Sequence, residues 1–302
     1  MSRTSKKIFE RESGSFRTSD GLRLSFQVGG NPAGPVILFC YGLACSSHHF
    51  KYQWEYLARR YRLLTLDYRG HNFSEAPRAI TTLTFPRIAG DIHEFLEHLN
   101  LRDTVCLVGH SMGVNIALEF AARFAERVHS LVLIAGAAAF PANTAREMYG
   151  LTVLQSMLKT VDGLFPRLAD QAWRMPTRTR GAERFAKYVG FNPALSKIED
   201  IRECIRVMGE LSPRIFFQLL GEYLRHDRRD SLELIRVPTL IIGGEKDKMI
   251  STSHQKSLHE RIENSRYVVI PEASHCPQFD CPEQVNRLIS GFLGENFKSL
   301  AS

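Results

Sequence analysis

Six short runs of the chain are almost continuously apolar: residues 35–40 (PVILFC), 61–67 (YRLLTLD), 104–109 (TVCLVG), 128–136 (VHSLVLIAG), 238–244 (PTLIIGG) and 266–271 (RYVVIP). The first four, rich in aliphatic residues and lacking polar alternation, predict strands buried on both faces, as in a mostly parallel sheet, and the last two predict further strands. Between the first four, residues 50–60, 88–99 and 114–124 carry apolar side chains at helical spacing. Alternating buried strands and amphipathic helices predict an α/β fold with helices on both faces of the sheet. Upstream, residues 15–30 alternate around Asp20-Gly21, a turn dipeptide that predicts a hairpin.

The alternation stops near residue 137. Residues 151–165, 198–208 and 213–226 read as helices, punctuated by Pro166, Pro176, Pro193 and Pro213. Strands resume at 238, and a last helix is expected over 282–293. The organisation that follows is a core over 1–136 and 233–302, with a helical cap inserted at 137–232. Such an insertion is expected over the carboxyl ends of the strands, where open α/β sheets bind ligands.

Composition changes this picture little. With 44% hydrophobic and 24% charged residues the chain is an ordinary globular one. No apolar run approaches the roughly 18 residues that span a bilayer, so integral membrane association is not expected. Residues 1–15 lack an apolar signal core; they predict a solvated tail and a cytoplasmic protein. Six cysteines without a CxxC pair predict free thiols and no metal site. The net charge of +7 is scattered. Its densest cluster, residues 174–187, reads as a solvated helix face and turn, so no nucleic-acid partner is expected. A weak attraction to anionic surfaces stays open.

Candidate chemistry centres on GHSMG, residues 109–113. A serine between two glycines, after a strand and before a helix, fits a sharp turn that lifts the Ser111 hydroxyl above the sheet. The turn also puts the Met112 amide at a helix N-terminus, which favours negative charge. A serine hydroxyl needs a base and a carboxylate to orient that base. Asp247 follows the run at 238–244, and His275 follows the one at 266–271. Both should emerge beside Ser111. Glu245 competes for the acid role, but Asp247 sits deeper in its loop. A second backbone donor is expected from the loop after the first buried strand, CYGLACSS, at Leu43.

GHSMG, DYRGHNFSEAP, GEKDKMIS and EASHCPQFDCPEQV together make the chain resemble the α/β-hydrolase superfamily over essentially its whole length. The resemblance implies an α/β-hydrolase fold with a serine-hydrolase triad at Ser111, Asp247 and His275. It implies an oxyanion hole from the Leu43 and Met112 amides, and no cofactor. Two positions depart from the family pattern. Tyr41 replaces the usual histidine of the oxyanion loop, and Asn72 replaces a turn glycine. Haloalkane dehalogenases and epoxide hydrolases of the superfamily carry aspartate at the nucleophile, which disfavours those reactions for Ser111.

The remaining candidates have plainer readings. His48 and His49 are expected to begin a helix, and His110 to pack against loops. Asp67 and Arg69 should fix a loop, while Cys45 and Cys276 act as small apolar residues. The aromatic run at 213–224 fits core packing, with an acyl channel as the alternative. The expectation is a serine hydrolase acting on a hydrophobic small-molecule carboxylic ester. A C–C hydrolase, lactonase or thioesterase on the same three residues, and a non-catalytic ligand-binding protein, are the alternatives. A homo-oligomer is left open.

Overall fold

The computed structural model describes residues 11–140, 145–175 and 179–298. Eight described strands form one sheet in the order β1-β2-β4-β3-β5-β6-β7-β8. β1 (Arg11–Arg17) and β2 (Arg23–Gly30) pair antiparallel, as do β2 and β4 (Arg62–Leu66). All other pairs, among β3 (Val36–Cys40), β4, β5 (Val105–His110), β6 (Val128–Ile134), β7 (Thr239–Gly244) and β8 (Ser265–Ile270), are parallel. Every residue of β3, β5 and β7 is buried, in keeping with their unbroken apolar runs.

The topology decides where a ligand can sit. The chain leaves β3 for β4 on one side, then crosses back to β5 on the other. Brought side by side at this switch point, the loops after β3 and β5 leave a crevice between them. Register puts Cys40, the last residue of β3, opposite Gly109, two before Ser111.

Helices cover the sheet. α1 (Lys51–Leu57) buries Trp54 and Leu57. α2 (Phe85–His98) is capped by Thr84, whose hydroxyl accepts from the Arg87 amide at 3.3 Å, and buries Ile88, Ile92 and Phe95 along one stripe. α3 (Met112–Arg123) starts directly after Ser111 and is buried along nearly all its length. α9 (Thr252–Arg261), α10 (Pro277–Asp280) and α11 (Pro282–Lys298) complete the core.

Between β6 and β7 the regular elements are helical: α4 (Ala145–Leu164), α5 (Pro166–Arg174), α6 (Arg180–Val189), α7 (Ile198–Glu210) and α8 (Pro213–Arg225). α8 drives Ile215, Leu219 and Tyr223 into the same apolar core as the sheet. α7 contributes Ile201, Cys204 and Ile205 to a smaller cluster with Phe191, Cys276 and Phe279. Two buried carboxylates fasten these helices to the core. Asp200 of α7 binds Lys51 and accepts from the Tyr52 hydroxyl at 2.7 Å. Asp280 accepts from the Asn192 amide at 3.1 Å and, on its other oxygen, from the Ser274 amide at 2.6 Å.

Two expectations change. Residues 11–15 are not tail but part of edge strand β1, because their backbone completes the ladder with β2; residues 1–10 lie outside the described residues. The hairpin turn is wider than a two-residue loop. Thr18 closes it with its amide on the Leu22 carbonyl at 2.9 Å and its hydroxyl on Asp20, leaving Gly21 at a φ of 82°. The reason is tertiary: the Asp20 carboxylate is drawn to the buried Arg69 guanidinium at 2.8 and 2.9 Å. Arg69 also binds Asp91 of α2, so it does fix its loop, from two sides.

Candidate active site

The turn after β5 is held in a conformation that costs energy. Ser111 has φ 54° and ψ −125°, a region that non-glycine residues avoid at a cost of about 1–3 kcal/mol. Close packing enforces it. A Cβ on Gly109 would lie 2.6 Å from the Gly113 carbonyl oxygen, and one on Gly113 would overlap the Cys40 carbonyl. Both obstacles are backbone and cannot rotate away. Gly113→Ala should therefore destabilise the protein by about 3 kcal/mol or more, read from the denaturant midpoint; a midpoint unchanged within error would mean this close approach is not needed.

Three side chains meet above the turn. The Ser111 hydroxyl lies 3.0 Å from His275 Nε2. His275 Nδ1 lies 3.0 Å from Asp247 Oδ2 and 3.2 Å from Oδ1. His275 is buried and Ser111 partly exposed, so the hydroxyl is the open end of the chain. Asp247 is further gripped by the amides of Met249 and Ile250, at 2.8 and 2.9 Å on Oδ1, and by the Gln255 amide nitrogen, at 3.2 Å on Oδ2. Burial alone would raise its pKa; the His275 ring and these donors outweigh it and hold the carboxyl below its usual range. Glu245, the competing acid, instead accepts from the Glu272 amide at 3.2 Å.

Leu43 follows β3, next to Gly42. A Cβ on Gly42 would come within 3.1 Å of Ser111 Cβ, so the two loops touch. No backbone acceptor pairs with the Leu43 or Met112 amide among the described residues. Met112 is the first residue of α3, where free N–H groups gather.

Tyr41 does structural work behind the loop. Its hydroxyl donates to Asp67 at 3.3 Å and accepts from the Tyr68 amide at 3.1 Å. Asn72, at a left-handed φ of 47°, bridges Asp67 at 3.1 Å, the Tyr41 hydroxyl at 3.3 Å and the Cys45 carbonyl at 3.3 Å. Asparagine thus keeps the turn a glycine would make and adds a strut under the Leu43 loop. Burial pushes the Asp67 carboxyl up from 3.8 to about 6, against the pull of these donors. The folded state then holds an extra proton between those values. This stabilisation is full below the lower value and lost as pH rises through the upper one. Asp67→Asn should remove the dependence, so that variant minus wild-type stability grows by on the order of 3 kcal/mol from acid to neutral pH. Denaturant titrations at matched pH check this, and a flat difference would contradict it.

The remaining candidates fall around the site. His110 does pack against a loop: its Nε2 meets the His275 carbonyl at 2.9 Å, fixing the backbone that carries the imidazole. Burial, followed by the nearby His275, pushes its pKa down to about 3, so it stays neutral. His49 stacks on His110 with ring centres 5.8 Å apart. His48 faces Asp200 at 3.4 Å. Burial pushes the Cys45 thiol up to about 12, the behaviour of a small apolar residue rather than a nucleophile. All six cysteines are free.

Sequence patterns passed over Gln255 and Asp280. Gln255 binds Asp247 from α9, eight residues away and outside any motif. Asp280 orders the loop that carries His275 and ties it to residues 192 and 196 of the helical insertion. The DCPEQ stretch that includes Asp280 was visible only as part of the resemblance.

A doubly wound sheet with a hydroxyl–imidazole–carboxylate chain at its switch point defines a class of α/β protein. The chain belongs to the alpha/beta hydrolase fold family, whose sequence model matches residues 35–282. The dihydrolipoyllysine-residue acetyltransferase component of an acetoin cleaving system from Pseudomonas putida is 26% identical, over 89% of this chain and 65% of that protein. The chain thus spans less than two thirds of that relative. The 3-oxoadipate enol-lactonase 1 of Acinetobacter baylyi is 26% identical, over 90% of this chain and 94% of that protein. Among solved structures, a thermophilic esterase from Thermogutta terrifontis superposes with a TM-score of 0.72 at 24% identity, covering 95% of this chain and 99% of that one. That likeness is one of fold. No described helix is long and apolar enough to cross a membrane.

Proposed function

We propose that the protein is a serine hydrolase that cleaves a carboxylic ester through an acyl-serine intermediate. The observation that carries this reading is the 3.0 Å contact between Ser111 Oγ and His275 Nε2, with Asp247 on the far side of the ring. In this reading His275 takes the Ser111 proton as Oγ attacks the carbonyl carbon, and Asp247 stabilises the imidazolium. The Leu43 and Met112 amides receive the oxyanion. The imidazolium returns its proton to the leaving alcohol. Water, deprotonated by His275, then attacks the acyl carbon and releases the acid and the free serine.

Two relatives bear names, enol-lactonase and esterase, that describe cleavage of an ester bond. They support an ester over a C–C bond as the scissile group. Helices between residues 137 and 232 are proposed as a cap over the crevice, which favours compact hydrophobic acyl groups over polymers. No cofactor enters the scheme.

A fluorophosphonate probe followed by peptide mass mapping tests the reading. One phosphonyl group on the peptide containing Ser111 is expected, with labelling lost in Ser111→Ala. Absence of labelling in a folded protein that still binds apolar esters would instead favour a binding protein on this fold.

A further inference from the structure

The inserted helices expose a type of surface found nowhere else among the described residues. Along α4, Val153, Met157 and Val161 stand four residues apart, on one outward ridge. Leu164 and Phe165 extend the ridge to the start of α5, and Leu168 continues it. Met157, Leu164, Phe165 and Leu168 are 62%, 67%, 56% and 63% exposed. A contiguous row of large apolar side chains left to water marks an interaction site, where scattered single ones would not.

Basic side chains outnumber acidic ones beside the ridge: Lys159, Arg167, Arg174 and Arg214 stand against Asp162 and Asp170. Arg167 lies within it, and Arg214 lies across a shallow groove lined also by Asp162, Asp170 and Pro166. Both arginines are exposed and have no acidic salt-bridge partner among the described residues. The groove's acids offset part of this charge: buried Asp162 interacts with the charge of Arg214, and Asp170 is bound to Arg174 at 2.8 Å, which leaves Arg167 as the groove's exposed cation without an acid. α6 repeats the composition, with Phe185, Tyr188 and Arg184 exposed on one face. The chain as a whole carries a net charge of +7.

We propose that the α4–α5 ridge docks the protein peripherally on a lipid surface bearing anionic headgroups. Apolar side chains would enter the acyl boundary while Arg167 and Arg214 meet the headgroups, as amphipathic basic helices do. A second copy of the chain fits less well. A second copy would have to bring two surfaces of net positive charge together, and the test below separates that occupant from a lipid surface. The docking needs no chemistry at Ser111. Delivery of a hydrophobic ester from that surface rests on the hydrolase reading above.

The test is flotation of the full chain with phosphatidylcholine vesicles, with and without phosphatidylglycerol. Binding is expected only with phosphatidylglycerol and should fall as salt rises. Arg167→Glu should weaken it by more than roughly fivefold, since one surface cation is lost and an anion is added. The triple variant Met157→Glu, Leu164→Glu, Leu168→Glu should weaken it more than tenfold on the order expected for lost apolar insertion. Both variants should hydrolyse a short water-soluble ester as the wild type does, which separates lost docking from lost fold. If soluble-ester turnover is absent in the wild type, the hydrolase reading fails and the vesicle result still stands. Binding unaltered by the substitutions, or no binding to either vesicle, overturns the proposal. So does a concentration-dependent dimer that the triple variant disrupts without any vesicle affinity.

Discussion

Ser111→Ala is expected to lower ester turnover by a factor of roughly 10³–10⁶ while leaving the protein folded. The hydroxyl is the only atom removed, and it lies at the open end of the relay with His275. Substrate binding should change little, so the loss belongs in kcat rather than KM. The same position offers a control on strain. Alanine keeps a Cβ at φ 54°, so it should retain the conformational cost of the turn. Glycine adopts that region freely. Ser111→Gly should therefore be as inactive as Ser111→Ala yet more stable than it, by about 1 kcal/mol after the entropy cost of glycine. Thermal or denaturant unfolding of the pair decides it. Equal stability would show that the turn is not strained, and unimpaired turnover in either variant would remove Ser111 from the chemistry.

The strained serine shows why much of this fold was legible in the sequence. β3, β5 and β7 are buried on both faces, and only an unbroken apolar run satisfies such a site. Gly109 and Gly113 are fixed by backbone that leaves no room for a Cβ, so the turn writes itself into GHSMG. Asp247 and His275 were found because each follows a strand of the sheet, and parallel strands deliver their ends to one side.

What stayed hidden depends on contacts between distant segments. Residues 11–15 look like a tail because edge strands need no apolar alternation on both faces. Asp20 looked like a turn residue, yet its partner Arg69 is 49 residues away. Gln255 and Asp280 act through hydrogen bonds to loops that only the folded chain brings near. The outward ridge of α4 was likewise invisible, because helical periodicity reports which residues are apolar and not which face lacks a partner. Residues 176–178 of the basic cluster at 174–187 lie outside the described residues. Around them, its arginines line a cleft of about 270 Å³ with Glu183 and Glu210. Arg174 of the cluster is paired with Asp170, and Glu183 with Arg202 of α7.

Asp247→Asn tests the other end of the relay, and its effect follows from hydrogen-bond counting. Oδ1 receives the Met249 and Ile250 amides, so that position must remain an oxygen. The new NH₂ is forced to the Oδ2 side, where it faces His275 Nδ1. A donor there can be satisfied only if Nδ1 becomes the acceptor, which moves the imidazole proton to Nε2. Nε2 then cannot accept the Ser111 proton. Gln255, which donates to Oδ2 at 3.2 Å, would also lose its acceptor, so the site gains an unsatisfied donor as well. Turnover near neutral pH should fall by roughly 10⁴, with the fold retained and KM nearly unchanged. Asp247→Glu should recover part of the activity, since a longer carboxylate keeps the acceptor. Glu245 gives an internal contrast: its oxygen serves the Glu272 amide, so Glu245→Gln should leave turnover within about twofold. Comparable losses at both positions would mean that the acid is shared and that the single contact to Asp247 does not set the tautomer of His275.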